Sequence, residues 1–359
     1  MTSYLFAGGG TAGHVNPLLA TADRVRERDP AAEIVVLGTL EGLESRLVPA
    51  RGYDLVTVDR LPFPRRPGRA MIGFPQRFAA VVARIREIIV ENGVDVVVGF
   101  GGYVSAPAYV AARRQGVPVV VHEANSRPGL ANRLGSLFAA ETAVAFGSAR
   151  LRRATETGMP LRREIERLDR HAARPEAAGE FGLDRRTLTL VVTGGSLGAR
   201  RINETMARAA PLVLGTGWQI LHITGTRSTT VYPELPGYRV VPYCDRMDLA
   251  LAHADLVVSR AGASTVSELS ALAIPAVYVP LPVGNGEQRL NARTAHRAGA
   301  ALVVDDGDFT VDWIADELLP LLQDRAALAA MAASASTIGI RDGADRLADI
   351  IDRVVGRAP

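Results

Sequence analysis

Several short stretches of this chain pair reactive side chains with spacing that can present them. His14 closes Gly8-Gly9-Gly10-Thr11-Ala12-Gly13-His14, a glycine-rich turn whose backbone N–H groups point outward. An imidazole there can accept a proton while the N–H groups stabilise negative charge. His122-Glu123-Ala124-Asn125 ends an apolar run, and the histidine–glutamate neighbours serve either as an acid–base pair or as structural hydrogen-bonding groups. Gly101-Gly102-Tyr103-Val104-Ser105 ends another such run and is expected beside them. A second glycine turn, Gly194-Gly195-Ser196-Leu197-Gly198-Ala199, offers N–H groups and the Ser196 hydroxyl. A third, Ser259 to Glu268, opens a helix after a strand. There Glu268 is either a ligand or the last member of a capping box, Thr265-x-x-Glu268.

Composition removes several chemistries. None of the 41 basic residues is lysine, so a lysine Schiff base and a Walker P-loop are both excluded. The lone cysteine, Cys244, permits no intrachain disulfide and no cysteine-rich zinc site, and is expected to pack. The pattern Gly8-x-Gly10-x-x-Gly13 formally matches a dinucleotide fingerprint, which needs an acidic residue at the end of the second strand. That strand ends Leu37-Gly38-Thr39; Glu41 and Glu44 come later, on the next element. The dinucleotide reading is therefore disfavoured, and no cofactor is expected.

These groups need a frame, and strand-like and helix-like segments alternate throughout. Tyr4 to Ala7 reads as a strand, with Asn16 as the cap and Pro17 as the first residue of the following helix. Glu33 to Gly38 is a second strand. Phe78 to Val90 is helical, with Phe78, Val82, Ile85 and Ile89 on one stripe. Asp95 to Phe100 and Val117 to Val121 are apolar strands of the kind buried on both faces of a parallel sheet, with Ala106 to Gln115 as the helix between them. Gly158 to Arg186 reads as a linker rich in arginine, alanine and proline. The register then restarts with Thr187 to Thr193 and further strands at Gln219 to Ile223, Arg239 to Val241, Leu256 to Ser259 and Ala276 to Val279. The result is an α/β chain of two doubly wound, Rossmann-like domains, a size that 359 residues accommodate. Leu347, Ile350, Ile351, Val354 and Val355 form one helical stripe at the end of the chain. Periodicity does not say which domain it packs on.

The N-terminus has no basic and long apolar secretory leader, and no run reaches the roughly 20 apolar residues of a membrane span, so any membrane contact is expected to be peripheral. The segment 62–74 mixes Arg65, Arg66 and Arg69 with Met71, Ile72 and Phe74. Such a stretch either meets an anionic leaflet or is an ordinary surface loop. Aromatic content of 5% and scattered arginines argue against nucleic acid.

Together, Gly9 to His14, Gly101 to Ser105, His122 to Asn125, Gly194 to Ala199, Arg260 to Glu268 and Gln288-Arg289-Leu290-Asn291-Ala292 resemble one family, in order along nearly the whole chain. It is the MurG family, glycosyltransferases that add N-acetylglucosamine to lipid-linked muramyl pentapeptide. The resemblance implies a GT-B fold, two Rossmann-like domains with parallel sheets facing a central cleft. Residues 1–157 would be the acceptor and membrane domain, with 342–359 packing back on it, and 158–341 would bind the UDP-sugar. It further implies that Ser196 meets the diphosphate, Cys244 flanks the uracil through its backbone, and Glu268 binds ribose. Ala263, Ser264, Thr265, Val266 and Ser267 would cradle phosphates and sugar. Glu287 or Gln288, with Asn291, would hold the sugar hydroxyls. Thr11, Ala12, Gly13, Asn125 and Arg162 would approach the donor, and Tyr103, Ser105, His122 and Glu123 the acceptor. The implied partners are UDP-N-acetylglucosamine, the lipid-linked muramyl pentapeptide and anionic inner-leaflet lipids, at the cytoplasmic face of the plasma membrane. His14 is the candidate base of an inverting, metal-independent transfer; its competing role is a hydrogen bond without proton transfer.

Overall fold

The computed structural model describes residues 1–63, 69–283 and 285–357. The chain divides into two compact units, Met1–Arg162 with Arg341–Pro359, and Arg163–Ile340. The first unit runs β1 (Ser3–Gly8), α1 (Ala12–Arg28), β2 (Glu33–Gly38), α2 (Glu44–Ala50), β3 (Asp54–Thr57), α3 (Arg69–Glu91) and β4 (Val96–Gly101). It continues through α4 (Ser105–Gln115), β5 (Val119–Glu123), α5 (Leu130–Gly135), β6 (Glu141–Val144) and β7 (Ala154–Glu156). Among the described residues its strands form a parallel sheet in the order β3-β2-β1-β4-β5-β6-β7.

Successive residues of β1 explain why both faces are covered. Tyr4 and Phe6 join one apolar cluster, while Leu5 and Ala7 join another on the opposite side of the sheet. The strand order reverses direction between β1 and β4, and the carboxyl ends flanking that switch point are where open α/β sheets place ligands. The turns after β1 and β4 are Gly9 to Thr11 and Gly102 to Val104.

The second unit runs α6 (Arg163–Glu166), α7 (Arg170–Phe181), β8 (Thr189–Thr193), α8 (Arg200–Leu214), β9 (Gln219–Ile223), β10 (Tyr238–Val241), α9 (Met247–His253) and β11 (Leu256–Ser259). Then come α10 (Ala263–Ala271), β12 (Ala276–Tyr278), α11 (Glu287–Arg297), β13 (Ala301–Val303), α12 (Val311–Trp313), α13 (Leu319–Gln323) and α14 (Arg325–Ile338). Its described parallel sheet is ordered β10-β9-β8-β11-β12-β13, with the switch point between β8 and β11.

The last helix, α15 (Gly343–Val354), belongs to the first unit. Leu347, Ile350 and Ile351 enter the cluster of Tyr4, Phe6, Val15 and Leu18. Arg28 of α1 reaches Asp349 at 2.7 Å, Asp345 at 2.9 Å and Asp352 at 3.0 Å along its flank.

Local structure departs from the sequence reading in two places. Thr11, not Asn16, caps α1, and Pro17 lies inside the helix. Val15 is fully buried, so the helix extends back to include it, and the Thr11 carbonyl takes the N–H groups of His14 and Val15. Residues 158–186 are not simply a linker, because they contain α6 and α7. Asp169 caps α7 through the N–H groups of His171 and Ala172, each at 3.0 Å, and Ala177, Ala178 and Phe181 bury its far end.

Candidate active-site loops

In the first unit, Gly10 adopts φ +87°, a left-handed conformation that suits glycine. Its N–H donates to Glu44 Oε2 at 2.8 Å. Glu44, the first residue of α2, is fully buried, and its Oε1 accepts from the Thr39 N–H and hydroxyl at 2.9 Å each. The sequence reading considered Glu44 only as a ribose ligand; the structure makes it the brace of the glycine turn. Gly102, also left-handed, packs so closely that a Cβ there would lie 2.6 Å from the Gly9 oxygen.

His14 lies in the first turn of α1, half-buried, with Nδ1 3.1 Å from the Gly9 carbonyl and 3.4 Å from Thr11 Oγ1. A carbonyl only accepts, so the network assigns the proton to Nδ1 and leaves the Nε2 lone pair available. Nε2 lies beside Gly101, where an added Cβ would be 3.1 Å away. The arrangement therefore supplies one base atom next to the junction of two turns.

The acceptor-side candidates separate. Tyr103 is 39% exposed, with the Arg60 guanidinium 5.0 Å above its ring. Ser105 is fully buried; its Oγ accepts from Gly101 N–H at 3.1 Å and lies within donating distance of the Ala7 and Gly101 carbonyls. His122 is buried against Phe100, with Nε2 3.3 Å from the Gly158 carbonyl, and burial pushes its pKa down to about 4. Ser105 and His122 thus hold the loops and do not face outward, because a strand-end position does not dictate which way a side chain points. Glu123 is buried too. Its Oε1 accepts from the Asn125 N–H at 2.8 Å, and its Oε2 from Gly129 N–H at 2.9 Å and Asn132 Nδ2 at 3.0 Å, so it shapes the loop carrying half-buried Asn125. Thr11 is exposed, Ala12 and Gly13 are half-buried in the first turn of α1, and Arg162 is the last residue before the second unit.

In the second unit the turn after β8 is clamped. A Cβ on Gly198 would lie 2.3 Å from the Thr224 oxygen, and one on Gly225 would lie 2.1 Å from the Gly198 nitrogen. The Ser196 carbonyl accepts from Thr226 N–H at 3.1 Å, while the Ser196 side chain is exposed. Gly262 caps α10, so Thr265 is already inside the helix and the capping-box reading of Glu268 fails. Instead Ala263, Ser264 and Thr265 form the first turn of α10, whose N–H groups have no partner within the helix and can receive an anion, with Val266, Ser267 and Glu268 following.

Gln288 Oε1 accepts the Leu281 N–H at 2.9 Å, leaving its amide NH2, whereas Glu287 Oε2 has no hydrogen-bond partner among the described residues. Asn291 is fully buried and donates from Nδ2 to the Ala261 carbonyl at 3.3 Å, so it ties α11 to the turn before α10. Cys244 is half-buried; burial pushes its thiol up to about 11, which keeps it protonated and unreactive at neutral pH. A cavity of about 300 Å³ that sequence reasoning missed lies among Arg200, Arg201, Arg260, Leu281 and Asp306. Asp306-Gly307-Asp308 carries the Asp-x-Asp spacing of a metal–nucleotide clamp, yet Asp306 is ion-paired with Arg260 at 2.6 Å. Among the described residues no group of three or more His, Cys, Asp or Glu is placed to hold a metal.

Met71 and Ile72 at the start of α3 are exposed, 44% and 82%. Phe74 is not: it is half-buried and packs on Phe63 and Phe78, with ring centroids at 5.3 and 5.8 Å. Arg69 opens α3, and Arg65 and Arg66 lie outside the described residues. No helix among the described residues is long and apolar enough to cross a membrane.

Residues 4–144 match the glycosyltransferase family 28 N-terminal domain and residues 189–347 its C-terminal domain. A UDP-N-acetylglucosamine--N-acetylmuramyl-(pentapeptide) pyrophosphoryl-undecaprenol N-acetylglucosamine transferase from Leifsonia xyli subsp. xyli is 59% identical, covering 98% of each chain. The protein of that name from Streptomyces avermitilis is 50% identical over 97% of each chain. The crystal structure of Acinetobacter baumannii MurG superposes with a TM-score of 0.81 at 26% identity, over 98% of this chain and 100% of that one.

Proposed function

The chain belongs to glycosyltransferase family 28 and to the MurG family within it, and on that premise we propose how its two units divide the work of one sugar transfer. The reaction moves N-acetylglucosamine from UDP-N-acetylglucosamine to the muramyl 4-hydroxyl of a lipid-linked muramyl pentapeptide, a step of peptidoglycan synthesis. The observation that carries this is identity of 59% and 50% along almost the full chain to transferases of that name. That match disfavours a UDP-N-acetylglucosamine epimerase on the same fold.

In this reading the second unit holds the donor. The N-terminus of α10 and the Ser196 turn stabilise the departing diphosphate with backbone N–H groups and helix-end charge. Glu268 accepts from the ribose hydroxyls, Cys244 borders the uracil through its backbone, and Glu287 with the Gln288 amide holds the sugar. The first unit serves the acceptor. His14 Nε2 takes the proton of the 4-hydroxyl as its oxygen bonds to the anomeric carbon. The bond from that carbon to the diphosphate breaks, and its electron pair leaves with UDP, inverting the anomeric centre.

Incubation with labelled UDP-N-acetylglucosamine tests the reading. Label enters the lipid phase only when the lipid-linked muramyl pentapeptide is supplied. Conversion of the donor to an epimer without any acceptor overturns it.

The arginine-rich segment ending in exposed Met71 and Ile72 supports peripheral attachment to anionic lipid at the cytoplasmic face of the plasma membrane. Each arginine near such a surface contributes about 1 kcal/mol. Changing Arg65, Arg66 and Arg69 together to glutamine is expected to weaken binding to phosphatidylglycerol vesicles by about 100-fold at low salt. Sedimentation that ignores both the substitutions and salt removes the idea.

A further inference from the structure

We propose that Glu44 is a positioning residue for the transfer reaction, acting on His14 through the single peptide bond that joins Gly9 to Gly10. The inference rests on the reading of His14 as the base. The Gly9 carbonyl and the Gly10 N–H belong to one planar amide. Its N–H end donates to Glu44 Oε2 at 2.8 Å, and its carbonyl end accepts Nδ1–H of His14 at 3.1 Å. The carboxylate, the amide and the imidazole therefore form one continuous hydrogen-bond chain, and consecutive bonds of this kind polarise one another.

The charge at the N–H end increases the electron density on the Gly9 oxygen. That strengthens its hold on Nδ1–H, keeps the Nε2 lone pair outward, and stabilises the imidazolium that forms when Nε2 accepts the hydroxyl proton. Glu44 gains and loses no proton; it acts as the orienting third group of a nucleophile–base arrangement, with an amide interposed.

The surroundings are built for this carboxylate. A Cβ on Gly9, Gly38 or Gly42 would lie 2.3, 2.5 or 2.0 Å from atoms of the Glu44 side chain, so three glycines make room for it. Glu44 is fully buried and takes both Thr39 donors besides Gly10. The same contacts turn the glycine motif away from anion binding, since one N–H is occupied and a negative charge lies beneath the turn. Other ionisable groups near the turn, among the described residues, include Glu123 of β5, which bonds Asn132 at the edge of Gly101, Tyr109 of α4, whose hydroxyl bonds the same Asn132 at 2.7 Å, and Tyr103 of the adjoining turn with Arg60 over its ring.

The test is Glu44→Gln, which keeps the shape and removes the charge. The expected result is a kcat about tenfold lower with KM for donor and acceptor each within about twofold of the parent. Ring ¹⁵N spectra of His14 are expected to show a protonated Nδ1 and a bare Nε2 in the parent protein and a mixture of the two tautomers in the variant. A variant that loses only thermal stability, with kcat and the ring signals unchanged, overturns the proposal. So does a parent spectrum with the proton on Nε2, which decides the matter even where Glu44→Gln fails to fold. If His14→Ala retains full kcat, the base reading falls by itself, and with it the catalytic part of this proposal; the ring spectra then still report whether Glu44 sets the tautomer.

Discussion

His14→Ala lowers kcat by about 10²- to 10⁴-fold at saturating acceptor while UDP-N-acetylglucosamine binds within about twofold of its parent affinity, because a positioned base contributes about that much to the rate and little to ground-state binding. The split follows from location. The imidazole is on α1 of the first unit, whereas the N–H groups proposed for the diphosphate are on the second. His14→Asn sharpens the experiment, since its amide can still donate to the Gly9 carbonyl but cannot take a proton at neutral pH. If hydrogen bonding alone were the contribution of His14, asparagine would restore the rate. Equal losses in both variants, with unchanged donor affinity measured by calorimetry, identify proton transfer. An alanine variant with parental kcat sinks the assignment.

The second large effect is on stability in acid. Burial pushes His122 of the first unit down to about 4 and His222 of the second down to about 3, from an ordinary value of 6.5. Folded and neutral, His222 donates from Nε2 to Asn203 Oδ1 (3.1 Å) and accepts at Nδ1 from the Tyr238 hydroxyl (2.7 Å), and a second proton would force the Tyr238 hydroxyl to turn from donor to acceptor. Below pH 6.5 the unfolded chain binds protons that the folded chain does not, so stability is full above that pH and declines as pH falls toward 4. Each imidazole is expected to remove about 3 kcal/mol over that window, a large share of a typical unfolding free energy. The units are followed separately in urea at pH 7 and pH 4.5. Both tryptophans, Trp218 and Trp313, lie in the second unit and report it by fluorescence, while amide exchange in β4 and β5 reports the first. Midpoints that stay constant between the two pH values contradict the prediction.

The frame was readable because its signals are local. Runs such as Val96 to Phe100 are apolar on both faces, and each glycine turn interrupts the period at a strand end. What escaped depended on contacts across the chain. Glu44 follows Thr39 by only five residues, but its relation to Gly10 spans 34 positions and is invisible to periodicity. The helix α7 was hidden by Pro175 and by a buried face confined to Ala177, Ala178 and Phe181, with Arg174 paired to Asp255 of a distant loop at 2.9 Å. The capping-box reading of Glu268 placed the helix start three residues late, because the glycine cap at Gly262 has no side chain to announce it.

The return of α15 to the first unit has a consequence for biosynthesis. Residues 1–162 leave the ribosome with their sheet but without the helix that covers Tyr4, Phe6 and Leu18, whereas residues 163–340 carry a core of their own and emerge before that helix exists. The second unit therefore matures first or alongside an unfinished partner, and the N-terminal unit exposes an apolar face until residues 343–354 have emerged. Loss of a short C-terminal piece would then damage the beginning of the chain and leave the adjoining unit intact, the reverse of what linear distance suggests.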